Sequence, residues 1–230
     1  MYKIGHLQYK VKNLENAMKN FEQLGFDVER ANEKSKNAFI WFETGPYIEL
    51  IEMNSNLVPF AYLFRWVYGK AMKERWKKWC GNEEGFIDFA IETIEDEYRN
   101  IQNFPKNKTI LKDFGIESNK VITWNRKNSK NEKILFSYLP VIPVSLPFVV
   151  SDYSMNQRPS HVSHKNNIEK IERVNFKCQE KEHEFLKNIL KNDEHLKLVL
   201  GTNAEIDQVL LKNKYGKIYR LTDHMSIESE

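Results

Sequence analysis

Glycine and cysteine are scarce in this 230-residue chain, which carries nine glycines and two cysteines. So few glycines leave little material for phosphate-cradling loops, and neither a P-loop nor a Gly-x-Ser-x-Gly nucleophile elbow occurs. Cys80 and Cys178 lie far apart and outside any Cys-x-x-Cys spacing. They read as two free thiols of a reduced, cytoplasmic protein. No apolar run is long enough to cross a bilayer, and Met1-Tyr2-Lys3-Ile4 enters a strand with no signal-peptide core. Neither sign of charge dominates: 35 basic residues stand against 32 acidic ones, a formal charge of +3. The densest basic stretch, Lys70 to Lys78, fits a solvated helix face better than a phosphate-binding patch. Composition therefore argues against a nucleic-acid partner and against a membrane.

What is present points to a folded protein. Hydrophobic residues make up 41% and aromatics 13%, enough to build a core and unlike a disordered chain. Lys3 to Val11 has the rhythm of a strand. Asn13 then suits an N-cap, and Leu14, Ala17, Met18, Phe21 and Leu24 recur at helical spacing before the stop at Gly25. Phe26–Arg30 and Ala38–Glu43 read as strands, and Gly45-Pro46 turns into another over Tyr47–Met53. The order strand, helix, strand, strand, strand predicts a sheet with its helix on one face. The other face is left as a trough.

Side chains alternate across a strand, so phase assigns the faces. Leu7, Tyr9 and Val11 share one face of the first strand, and His6, Gln8 and Lys10 share the other. Ile48 and Leu50 likewise oppose Tyr47, Glu49 and Ile51. If these strands are sheet neighbours, His6 and Glu49 meet on the face without a helix. An imidazole and a carboxylate in one cleft make a candidate acid–base or metal-ligating pair. The plainer alternative is a polar pair that satisfies itself.

A similar order recurs. Gly85 to Ile91 reads as a strand, Thr93 and Asp96 resemble a capping box, and Ile94, Tyr98 and Ile101 form a weak helical stripe. Lys120–Arg126, Lys133–Leu139 and Leu146–Val150 read as the strands that follow. A third pass comprises a strand over Ile171–Cys178, a helix over Glu180–Asn192, and strands over Glu205–Leu211 and Lys217–Leu221, with Ser226–Glu230 as a frayed tail. This last unit either extends the second sheet or begins a half-complete domain. The expected divisions are residues 1–55, 56–82, 83–155 and 156–230.

The segment between the first two units, Leu57–Trp79, is the most aromatic of the chain, and Gly69 divides it into two helical stretches. It reads either as a wall or lid that gives a ligand an apolar pocket, with Trp66 and Trp76 as stacking groups, or as a helix pair covering a sheet edge or a homodimer contact.

Several of these stretches together resemble a known family. Ile4-Gly5-His6, Leu24-Gly25-Phe26, Asn37-Ala38 and Tyr47 to Ile51 are similar to the opening module of glyoxalase-like proteins of the vicinal oxygen chelate superfamily. Leu146-Pro147-Phe148, Arg158-Pro159 and His164 resemble a connector of the same group. The resemblance implies an α+β fold of paired βαβββ modules, with curved mixed sheets around a trough and helices outside. It also implies a small-molecule ligand, with metal-assisted isomerases, lyases and dioxygenases alongside metal-free binders. His6 and Glu49 occupy the first-module ligand positions, as ligand or polariser and as ligand or general base, for a divalent metal such as Zn, Ni, Mn or Fe. The second module departs from the pattern. Aligning the two strand rhythms sets Phe86 in the place of His6 and Val150 in that of Glu49, and neither can ligate. Asp88, Asp152, His161 and His164 remain as completions of the set. Gln8, Tyr47, Asp88, Trp66, Trp76, His161 and His164 are the expected ligand-binding residues. A binder of the same fold that sequesters or senses a small molecule is the competing reading.

Overall fold

The computed structural model describes residues 2–93, 104–128, 130–151, 153–190 and 193–230. The first unit comprises β1 (Tyr2–Val11), α1 (Leu14–Gln23), β2 (Glu29–Arg30), β3 (Asn37–Ile40) and β4 (Tyr47–Glu52). A 3-10 turn at Ser55–Leu57 leads into the helices α2 (Phe60–Tyr68) and α3 (Lys70–Trp79). The second unit comprises β5 (Gly85–Thr93), α4 (Phe104–Asp113), β6 (Glu117–Ser118), β7 (Ile122–Lys127), β8 (Lys133–Leu139), β9 (Val141–Ile142) and β10 (Phe148–Val150). The third comprises β11 (Ile168–Cys178), α5 (Glu180–Ile189), β12 (Leu196–Leu200), β13 (Glu205–Asn213), β14 (Ile218–Leu221) and β15 (Ile227–Ser229).

The first two units share one curved eight-stranded sheet, ordered β2-β3-β4-β1-β5-β10-β8-β7. In each half the first strand pairs in parallel with the last, β1 with β4 and β5 with β10, and β1 and β5 join the halves antiparallel. The sheet curls until its two edges meet. The Asn32 side chain donates to the Lys127 carbonyl at 2.9 Å, and the Arg126 guanidinium lies 4.7 Å from the Phe39 ring.

Local chemistry explains the elements. Asn13 caps α1 by accepting from the Asn16 N–H, and Leu14, Ala17 and Phe21 bury one helical face. Gly25 closes that helix at φ 87°, where a Cβ would meet the Asn166 backbone at 2.9 Å. Gly69, at φ 101°, separates α2 from α3. The alternation read along β1 holds from His6 onward but not before it. Tyr2 and Ile4 enter the same core as Leu7, Tyr9 and Val11 because the register slips at Gly5, between Ile4 and His6.

The third unit forms a separate sheet, β12-β11-β13-β14-β15, rather than extending the large one. It packs on the face away from the trough, and the Phe89 and Phe176 rings meet at 4.9 Å. The tail is no frayed end, because β15 pairs with β14. The capping box at Asp96 and the stripe of Ile94, Tyr98 and Ile101 lie outside the described residues, as do Lys191, Asn192 and Asp152.

The trough face is not free of helix, as phase alone led us to expect. α3 lies across its second half, pinned by a buried ion pair. Arg75 Nη1 contacts both Asp88 oxygens, at 2.9 and 2.7 Å, and Arg75 Nη2 donates to the Leu146 carbonyl at 2.7 Å. Trp79 Nε1 and Lys78 Nζ also reach Asp88, at 2.8 and 3.2 Å. Burial alone would raise the Asp88 carboxyl, but Arg75 and Lys78 hold it below the ordinary carboxylate range. Asp88→Ala would strand a buried guanidinium, so we expect a loss of about 3–5 kcal/mol in urea unfolding. The double change Arg75→Met/Asp88→Leu should recover most of that loss. A fully stable Asp88→Ala protein would refute the assignment.

Candidate functional site

β1 and β4 bring the polar residues together. Parallel pairing sets His6 beside Tyr47 and Gln8 beside Glu49, all on the trough side, while Ile48 and Leu50 go to the core. His6 Nε2 lies 3.5 Å from Glu49 Oε2, and Asn37 of β3 donates from Nδ2 to Glu49 Oε1 at 2.8 Å. The His6 ring stacks on Tyr47 at 5.0 Å and meets Phe148 edge-on at 5.8 Å. Burial lowers the His6 pKa, against an opposing pull from Glu49, Glu92 and Asp88. The imidazole is therefore neutral near pH 7, and its contact with Glu49 joins a neutral ring to a carboxylate.

One end of the trough is filled. Ala31, Phe39, Trp41 and Tyr47 pack there with Tyr153 and Val162, and the Tyr47 and Tyr153 hydroxyls meet at 3.1 Å. The other end is a cavity of about 300 Å³. Its polar side carries His6, Gln8, Asn37 and Glu49, and its far side is aromatic, with Trp76, Trp79, Trp124, Phe136, Tyr138 and Phe148. Lys36 and Glu52 pair at 2.5 Å and also line it, as does Arg126. Gln8 is 6% exposed and its Oε1 has no hydrogen-bond partner. An orphaned polar atom at this depth is costly unless something else meets it.

Several expected ligand-binding residues stand elsewhere. Asp88 has the trough phase but is closed off beneath α3 by Arg75, Lys78 and Trp79. Trp66 is 86% exposed, because α2 turns Trp66 and Leu63 to solvent while Phe64 faces inward. Tyr47 backs the His6 ring from the filled end. His161 sits on the surface beside Glu43 at 3.1 Å. His164 is buried, with Nδ1 accepting from the Asp27 N–H at 2.9 Å and Nε2 placed 2.9 Å from the Trp41 carbonyl. It staples the connector to the first unit, assisted by Arg158, which donates to the Phe42 and Gly45 carbonyls at 2.5 and 2.6 Å.

Phe86 does not take the place of His6 in the second half. A second register slip, between Gln8 and Tyr9, pairs Phe86 with Tyr9 away from the trough and leaves Ala90 opposite His6. Lys10 shares the phase of His6 but is drawn past the cavity to the Gly81 carbonyl. Asn37 and Arg126 join the site without a local motif to mark them. Their phases carried the signal, with Asn37 alternating with Phe39 and Arg126 with Trp124, but nothing local ties either strand to Glu49.

Beyond the neutral Gln8 amide oxygen, the described donor set is short for a divalent metal. His6 and Glu49 supply two ligands, and the neighbouring positions are Ala90, Phe148 and Val150. Among the described residues, no group of three or more His, Cys, Asp and Glu could hold an ion.

A sequence profile described as a glyoxalase-like domain matches residues 4–190. The chain belongs to that family. A solved structure of a hypothetical protein from Staphylococcus aureus is 17% identical, covers 96% of this chain and 98% of its own, and superposes with a TM-score of 0.61. That likeness shows a shared fold that takes in the third unit. A hypothetical protein from Bacillus halodurans C-125 is 14% identical over 69% of this chain and 98% of its own, with a TM-score of 0.35. No curated protein matches the chain in sequence. No helix of the described residues is long and apolar enough to cross a membrane.

Burial lowers the pKa values of His6 and His164, so the unfolded chain binds protons that the native state refuses. Stability contributed by both groups is full above about pH 6.5 and is lost as pH falls from there toward their native values. Protonating His164 Nδ1 would also set a donor against the Asp27 N–H. We expect Tm to fall between pH 7.5 and 5.5, and the deficit of His164→Gln relative to wild type to shrink across that interval. Parallel curves for the two proteins would exclude the mechanism.

Proposed function

We propose that this glyoxalase-like protein binds a small organic molecule in the trough, without a metal, using the His6–Glu49–Gln8 side to orient it and the aromatic side to cover it. The observation that carries this reading is the cavity itself. At about 300 Å³ it has the size of a small-ligand site, with apolar walls and a few convergent polar groups. Among those groups is a buried amide oxygen with no protein partner. Trp76 is rigid enough to serve as a wall, because its ring packs on Phe64 at 4.5 Å and its Nε1 donates to the Leu57 carbonyl at 2.8 Å.

A thermal-shift screen of aromatic and dicarbonyl compounds tests this directly, since a ligand of the native state raises Tm by mass action. Stabilisers should retain their effect in chelator. Trp76→Ala and the space-filling Val150→Trp should weaken them at least tenfold, while Trp66→Ala should not. Equal binding by Val150→Trp would remove the cavity from consideration. Stoichiometric Zn, Ni, Mn or Fe that is lost in His6→Ala would overturn the metal-free reading.

One feature favours a second, catalytic reading as an isomerase or lyase. A neutral imidazole beside a carboxylate in a cleft can pass a proton without a metal, with Glu49 as base and His6 holding its orientation. Glu49→Gln would then abolish exchange of a carbon-bound proton of the bound ligand with solvent deuterium while leaving its affinity within about threefold. Exchange that persists in Glu49→Gln would rule Glu49 out as the base.

A further inference from the structure

The cavity states what its ligand must carry. Several buried side-chain atoms of the described residues lack a hydrogen-bond partner, and two of them belong to residues lining the cavity: Gln8 Oε1, an acceptor, and Arg126 Nη2, a donor. They come from different strands. Gln8 pairs with Glu49, which pairs with Phe39, and the Arg126 guanidinium lies 4.7 Å from the Phe39 ring. Two strand spacings, roughly 10 Å, therefore separate the Gln8 and Phe39 positions.

The charges around the cavity are unevenly matched. Lys36 and Glu52 neutralise each other, and Glu49 is held by Asn37 and faces His6. Arg126 has no carboxylate partner among the described residues. Its guanidinium lies against the Phe39 ring at 4.7 Å and the Tyr153 ring at 5.1 Å and also reaches the Tyr153 hydroxyl, while Nη2 has no partner. An arginine held so meets a planar anion best, through paired N–H donors to a carboxylate. Two strands from Phe39, the Gln8 Oε1 acceptor is without a partner and calls for a donor. Trp76, Phe136 and Phe148 line the same cavity.

We infer that the ligand is a small aromatic acid with a hydroxyl or amino group remote from its carboxylate. The carboxylate sits on Arg126, the ring lies among the aromatic walls, and the remote group donates to Gln8 Oε1. This deepens the proposal that the trough binds a small molecule and rests on it.

Isothermal titration at low ionic strength can separate the two claims. The probes are para-hydroxybenzoate and para-hydroxyphenylpropionate, the primary amide of each, and benzoate and phenylpropionate without the hydroxyl. For at least one length, the acid should bind about tenfold tighter than its amide. Arg126→Gln should erase that ratio while leaving the amide nearly unaffected, and Gln8→Met should erase the preference for the hydroxylated acid over the plain one. Arg126→Lys, which keeps the charge and loses the fork, should give an intermediate ratio, and it carries the test should Arg126→Gln not fold. Acids and amides that bind alike, with Trp76→Ala weakening both, would overturn the ligand class and leave the binding site standing. An absence of binding by every acid, amide and neutral aromatic tried would overturn both claims.

Discussion

The buried pairing of Arg75 with Asp88 is the constraint on which the shape of the site depends. A carboxylate on the concave face of a sheet would ordinarily face water or a ligand. Here a guanidinium from α3 covers it, and the same guanidinium reaches the Leu146 carbonyl, so three separate segments are tied at one point. The tie lays α3 along the second half of the trough and brings Trp76 and Trp79 to the cavity wall. It also sets Phe148 against both Arg75, at 5.7 Å, and His6, at 5.8 Å. Removing Asp88 from the donors available to His6 and Glu49 is the chemical consequence. The same contact that builds the pocket withdraws a carboxylate from it.

The two halves of the large sheet share topology and divide the chemistry. The first supplies His6, Gln8, Asn37 and Glu49, and the second supplies chiefly aromatic and aliphatic surface, Arg126 excepted. A site assembled from paired modules can draw polar groups from both, and here the second module supplies mainly apolar cover. The filled end of the trough reinforces the division. Tyr47 and Trp41 occupy space that a larger ligand would need, and Tyr47, packed on Trp41, stacks on the His6 ring.

Much of the first unit was legible in the residues. The capped helix, its glycine stop and the alternation along β1 and β4 are short-range features, and each follows from the chain's immediate neighbours. The same reasoning failed where register slipped. A bulge at Gly5 reverses the phase of Tyr2 and Ile4, and another beside Ile87 moves Phe86 to the core side, away from the place given to it as the counterpart of His6. His164 has the chemistry of a ligand, since imidazoles ligate. Its partners, the Asp27 N–H and the Trp41 carbonyl, lie more than a hundred residues away in the chain, and only folding reveals that both ring nitrogens are committed.

By itself the sequence determined which side chains could share a face, because the two-residue period of a strand and the 3.6-residue period of a helix are written in neighbouring positions. It also determined that one imidazole and one carboxylate would fall in the same phase on two similar strands. Only the tertiary structure decided that these strands are adjacent, that α3 covers the second half of their face, and that Arg126 arrives from the far edge of the curled sheet. Those outcomes depend on closing long loops and on the packing that rewards closure, and such energies belong to pairs of residues distant in the chain.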